Sequence, residues 1–153
     1  MRHIRSVLLI ALFCLFAVNL KGAEPRLIKV LPQYVDKNGL HTLSPSLFER
    51  DAYQKVLREN PGQRSGLRFD VQMKLPRKRD QLKVKIELRG VKGKELTTET
   101  LEAPITGKRG WFSTWNSISF TGKEYKNFGE MTAWRVTLWD GDKQVSEQKS
   151  FLW

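Results

Sequence analysis

Two stretches alternate strictly between apolar and polar residues, and they constrain the fold more than any other feature. In GLRFDVQMKL (66–75), Leu67, Phe69, Val71, Met73 and Leu75 alternate with Arg68, Asp70, Gln72 and Lys74. In QLKVKIELR (81–89), Leu82, Val84, Ile86 and Leu88 alternate with Lys83, Lys85, Glu87 and Arg89. A period of two gives each segment one buried and one wet face, as in strands of an antiparallel sheet. The intervening PRKRD (76–80) reads as a short connection that lets the two strands pair directly.

Further strands are predicted at 95–102 (ELTTETLE), 115–120 (WNSISF), 133–139 (AWRVTLW) and 144–153 (QVSEQKSFLW). Asp140-Gly141-Asp142 before the last one is a hairpin turn. In that hairpin Leu138 is expected opposite Val145, with Trp134, Phe151 and Trp153 in the core and Trp139 on the polar face. Many short strands with turn signals define a mainly β fold, a two-layer antiparallel β-sandwich of immunoglobulin or fibronectin type III kind.

Residues 24–64 read as a strand and a helix packed on that sandwich of 65–153. RLIKVLPQYV (26–35) is a strand that Pro32 places at an edge or bends. DKNG turns the chain, and LHTL (40–43) is a possible short return strand. The helix lies within SPSLFERDAYQKVLRENPG (44–62). Ser46 and Glu49 form a capping box, Phe48, Ala52 and Val56 recur at helical spacing toward the core with Tyr53 and Leu57 beside them, and Asn60-Pro61-Gly62 stops it.

The first 23 residues have the layout of a secretory signal peptide. Arg2 and Arg5 precede an unbroken apolar run from Val7 to Val18, and Gly22-Ala23 offers a cleavage site. The run is shorter than the roughly 20 residues of a membrane span. Phe13 before Cys14 speaks against a lipidated cysteine. Removal of the leader would leave no cysteine, hence no disulfide or thiolate chemistry. The expected location is the periplasm or the extracellular medium.

Of the 27 basic residues, 24 lie after position 23, against all 16 acidic ones. The excess concentrates in 64–94. If the two alternating strands pair, Arg68, Lys74, Lys83, Lys85 and Arg89 share a wet face, with Arg77, Lys78 and Arg79 at the turn. Such a strip would attract lipopolysaccharide phosphates, lipid head groups or acidic glycans. The plainer reading is a solubilising face whose lysines discourage edge-to-edge pairing. Nucleic acid is not an expected partner for an exported chain. ITGKRGWFSTW (105–115) is a second candidate: Trp111 could stack a sugar or cover the rim, while Trp115 enters the core. With Trp139, Trp111 makes the expected aromatic surface.

Catalysis is not expected. His41 is the one histidine outside the leader and reads as a loop residue, there is no metal-ligand cluster, and no GxSxG or phosphate-loop pattern occurs. No cofactor is implied. A small hydrolase with an unrecognised site is the enzymatic alternative to a non-catalytic binding or structural module. TLSPSLFERDAYQ (42–54), SGLRFDVQ (65–72) and AWRVTLWDGDKQVSEQKSFLW (133–153) resemble a group of small secreted bacterial proteins of unknown function. That resemblance implies a single secreted β-rich domain and carries over no functional residue.

Overall fold

The computed structural model describes residues 24–75, 81–105 and 112–153. Among these residues the fold is mainly β, with two antiparallel sheets and two α-helices. Strands β1 (Arg26–Asp36), β2 (Arg64–Lys74) and β5 (Thr114–Thr121) form one sheet in the order β1-β2-β5. Strands β3 (Leu82–Lys92), β4 (Glu95–Pro104), β6 (Glu130–Asp140) and β7 (Lys143–Lys149) form the other in the order β4-β3-β6-β7. Helix α1 spans Leu47–Glu59 and helix α2 spans Gly122–Phe128.

The alternation of 66–75 and 81–89 has the expected faces but not the expected neighbours. Leu67, Phe69, Val71, Met73, Val84, Ile86 and Leu88 all lie in one buried cluster with Val136 and Leu138. Yet β2 pairs with β1 and β5, and β3 pairs with β4 and β6. The two strands meet across the core, not side by side. The 76–80 connection itself lies outside the described residues, but the strands it joins sit in different sheets.

β1 is an edge strand, and Pro32, opposite Phe69, sits on it without disturbing the register. No return strand forms at 40–43. The Asp36 carboxylate accepts the backbone N–H groups of Asn38 and Leu40 at 2.8 Å each. Gly39, at φ +79°, completes that tight turn.

Helix α1 begins where expected, with the Ser46 hydroxyl accepting from the Glu49 N–H at 3.5 Å. Its buried face is only part of the expected one. Phe48 is 83% exposed, and Ala52 and Val56 are exposed too. Tyr53 and Leu57 face the protein as expected, and Gln54 joins them. The Gln54 amide explains the rotation. Its Oε1 accepts from the Tyr34 N–H at 2.8 Å, and its Nε2 donates to the Tyr34 carbonyl at 2.9 Å. One polar side chain thereby replaces a neighbouring strand at the β1 edge, and it draws its own helical face inward.

β1 is sealed at its other end as well. The Leu27 N–H donates to Ser146 Oγ at 3.0 Å, and Gln148 Nε2 donates to the Ile28 carbonyl at 2.9 Å. Both partners come from β7, the outer strand of the other sheet.

The sequence reading lacks α2, whose seven residues are too short for a periodic signal. Phe128 and Tyr125 pack edge-on against Phe120, with ring centroids 5.5 and 5.9 Å apart. Phe128 presses so closely on Gly90 that a Cβ there would meet its ring at 2.7 Å.

The β6–β7 hairpin turns at Gly141, whose φ of +59° suits the first central position of a two-residue loop. An irregularity between Leu138 and Trp139 puts Ser146, not Val145, opposite Leu138. β7 ends at Lys149, so Phe151 is fully exposed and not core. Trp134 is half-buried against the core. Trp115 is exposed to 47%, while its neighbours Ile118 and Phe120 face inward.

Candidate interaction face

The structure divides the expected basic strip between two faces. Arg68 and Lys74 lie on β2, whose polar side faces away from the core of the three-stranded sheet. Lys83, Lys85 and Arg89 lie on the outer side of the four-stranded sheet. Arg77, Lys78, Arg79 and Trp111 lie outside the described residues. A strip running from Arg68 through Lys85 on one surface therefore does not form, because the strands carrying it are not neighbours.

On the three-stranded sheet, Arg68 Nε donates to Asp70 Oδ1 at 2.8 Å and its Nη2 to Ser117 Oγ at 2.9 Å. The Ser117 hydroxyl in turn donates to the same Asp70 oxygen at 2.5 Å. Its proton goes to a carboxylate already neutralised by Arg68, which is not an activated nucleophile. His41 lies in the loop as expected, and its carbonyl accepts from Gln54. Burial, and then the charge of Arg68, hold its imidazole below the usual range.

The outer side of the four-stranded sheet is richer. Pairing places Lys83 beside Trp139, Lys85 beside Thr137 and Glu87 beside Arg135. Across the other neighbour, Lys83 faces Pro104 and Lys85 faces Glu102. Arg135 grips Glu87 through two nitrogens, at 2.8 and 2.7 Å. Lys85 reaches Glu87 at 3.6 Å, Lys83 reaches Glu102 at 3.5 Å, and Lys149 reaches Glu147 at 3.8 Å. The cations of this face are thus interleaved with acids, and its charge is mixed.

Two tryptophans mark the face. Trp139 is half-buried, donates its Nε1–H to Thr137 Oγ1 at 2.9 Å, and has the Lys83 ammonium 5.9 Å from its ring centre. The guanidinium carbons of Arg89 and Arg135 lie 4.0 and 4.8 Å from the Trp153 ring centre. The sequence reading placed Trp153 in the core. The chain turns after β7, with the Trp153 N–H donating to the Ser150 carbonyl, and this carries the indole onto the arginines. Arg135 was also missed, although its odd position in AWRVTLW, beside Trp134 and Val136, already put it on the polar side.

A second polar cluster, buried except for Glu130, lies at the end of α1. The Arg64 guanidinium, with its side chain 4% exposed, donates to the Leu57 and Arg58 carbonyls and pairs with Glu130. It lies 3.9 Å from the Tyr34 ring centre, and the Tyr34 hydroxyl donates to Glu130 at 2.5 Å. Burial first, and then the Glu130 carboxylate, push the Tyr34 phenol well above its ordinary value. This cluster caps the last carbonyls of α1 and fastens the helix to both sheets.

Among the described residues there is no group of three or more metal-binding side chains, and no helix long and apolar enough to cross a membrane. No family model, curated protein or solved structure matches the chain.

Proposed function

We propose that the chain is an exported, non-catalytic interaction module of the cell envelope, built as an immunoglobulin-like sandwich, that binds a partner protein through the outer face of its four-stranded sheet. The sandwich assignment is supported by strand order. Lettered A, B, C, C′, E, F and G in chain order, the seven strands divide into A-B-E and C′-C-F-G sheets, the division of fibronectin type III domains. Export is supported by the leader-like first 23 residues.

The observation that carries the binding reading is the cluster of Trp153, Arg89 and Arg135, with Trp139 on the same face. Tryptophan and arginine are the residues most enriched at energetic centres of protein interfaces. The interleaved Glu87, Glu102 and Glu147 suit a protein surface of mixed charge better than a polyanion.

A photo-activated cross-linking residue tests this in the native host. Placed at Thr100 or Lys149, both exposed on this face, it is expected to give one discrete envelope adduct. Placed at Asp51 on α1, it is expected to give none. Equal labelling at all three positions would remove the face from consideration. Retention on lipopolysaccharide or acidic-glycan beads that is lost at moderate salt, and on charge reversal of Arg77, Lys78 and Arg79, would favour the anionic-ligand reading instead.

A further inference from the structure

We propose that the edge of β5, which no strand of the described residues pairs, is a strand-addition site for an extended, neutral-to-acidic segment of another polypeptide, independent of the face described above.

The molecule treats its sheet edges unequally. β1 has its outward backbone groups occupied by Gln54, Ser146 and Gln148. The edge strand β4 carries Glu95, Glu99 and Glu102, with Pro104 at its end. Charges and prolines of this kind are how edges are ordinarily blunted. β5 ends the three-stranded sheet with TWNSISFT, which has no charged residue and no proline. Its register with β2 runs from Gly66↔Thr121 to Met73↔Thr114 without a bulge.

The alternation of antiparallel ladders fixes which β5 groups face outward. Tyr34 turns its N–H and carbonyl away from β2, toward Gln54. Its β2 partner Leu67 therefore points its own groups away from β1 and toward Phe120. Stepping by two along β5, Phe120, Ile118 and Asn116 are bonded to β2. Trp115, Ser117 and Ser119 present their N–H and carbonyl groups to the free edge.

The side chains say what would fit there. On the inner side, Ile118 is only partly buried against the core. Asn116 holds a buried Nδ2 with no hydrogen-bond partner. An antiparallel incoming strand would place an apolar residue beside Ile118 and, two residues later, an acceptor such as Asn or Asp beside Asn116. Exposed Lys123 and Lys126 on α2, directly after β5, outnumber the exposed Glu124 between them and favour a neutral or acidic segment over a second copy of this basic chain.

The probe is a phage-displayed library of random peptides of about a dozen residues, long enough to cover one strand, selected on the immobilised protein. Winners are synthesised and tested against Ser119→Pro and Ser119→Lys. Ser119→Pro removes an edge donor but no bond to β2, and Ser119→Lys installs a guard if the proline strains the strand. Expected are peptides with the apolar-x-acceptor pattern and slowed amide exchange at Trp115, Ser117 and Ser119 on binding. Affinity should fall at least about tenfold in both variants, with thermal unfolding close to wild type. Failure to enrich any peptide, equal binding by the variants, or protection elsewhere would overturn the site. A concentration-dependent dimer in light scattering that Ser119→Lys abolishes would show that the edge takes a second copy, and would overturn the proposed occupant.

Discussion

The side-chain amide of Gln54 is bonded to both backbone groups of Tyr34, accepting at 2.8 Å and donating at 2.9 Å. Its second amide hydrogen goes to the His41 carbonyl at 2.8 Å. One buried side chain thus serves the first strand, the following loop and the helix. Gln54→Ala should destabilise the fold by about 2–3 kcal/mol, because it strands buried backbone groups that had partners. Urea denaturation measures this, and a loss below about 0.5 kcal/mol would mean that water replaces the amide. Gln54→Glu should lie close to the alanine variant, since a carboxylate cannot donate to Tyr34 and His41.

Arg64 occupies a position that lysine cannot fill. Its planar fork serves two helix-terminal carbonyls and Glu130 while stacking on Tyr34. Arg64→Lys should therefore recover little of the roughly 1–3 kcal/mol expected to be lost when Arg64→Ala leaves the helix-terminal carbonyls unpartnered, Glu130 being exposed enough to be rehydrated. Equal stability of the lysine variant and wild type in denaturant would show that charge alone suffices.

All three tyrosines are held above the ordinary phenol range. Burial and then Glu130 raise Tyr34, the hydrogen bond to Asp36 raises Tyr53, and burial raises Tyr125. Above about pH 10 the unfolded chain loses phenolic protons that the fold retains, so stability must fall as pH rises. Phenolate absorbance should therefore appear together with loss of the fold, not before it. Tyr34→Phe, read by circular dichroism, should move alkaline unfolding to higher pH.

Helix α1 and strand β3 offer a paired comparison. Phe48→Ser should change stability by no more than about 0.5 kcal/mol, because the ring is already in water. Ile86→Ala, at a fully buried position, should cost about 2–5 kcal/mol. Thermal unfolding of the two variants tests whether the exposed stripe or the buried strand carries the fold.

Gly90 is needed for lack of volume, since its backbone φ is not in the left-handed region. Gly90→Ala should cost about 1–3 kcal/mol through its clash with Phe128, and Phe128→Leu in the same chain should recover part of it. Absence of any recovery would place the strain on the Glu130 carbonyl instead, 2.9 Å from the added carbon.

What the sequence discloses follows from what side-chain periodicity encodes. Alternation reports which face of a strand is buried, so Phe69, Val71, Val84 and Ile86 were legible as core. It carries no information about which strand lies alongside, so the separation of β2 from β3 was not legible, nor the division of the basic residues that followed from it. The α1 stripe was legible at Tyr53 and Leu57 but not at Phe48, because apolar spacing gives no weight to a glutamine, whereas Gln54 is buried as a substitute for a strand. Trp139 was legible from its parity. Trp153 was not, because its position depends on a turn after β7 that no alternation marks. The edge of β5 was legible only as an uncharged strand, since its significance depends on the neighbours it lacks.

The seal between Leu27 and Ser146 joins positions 119 residues apart. Closing a loop of that length costs about 4 kcal/mol of chain entropy. During synthesis β7 follows β1 by more than a hundred residues, so that end of β1 keeps its edge bare until β7 has emerged. Completion of the β1 edge is therefore coupled to synthesis of a strand far along the chain. A fragment ending before the last hairpin should be the form most prone to pair wrongly with its neighbours.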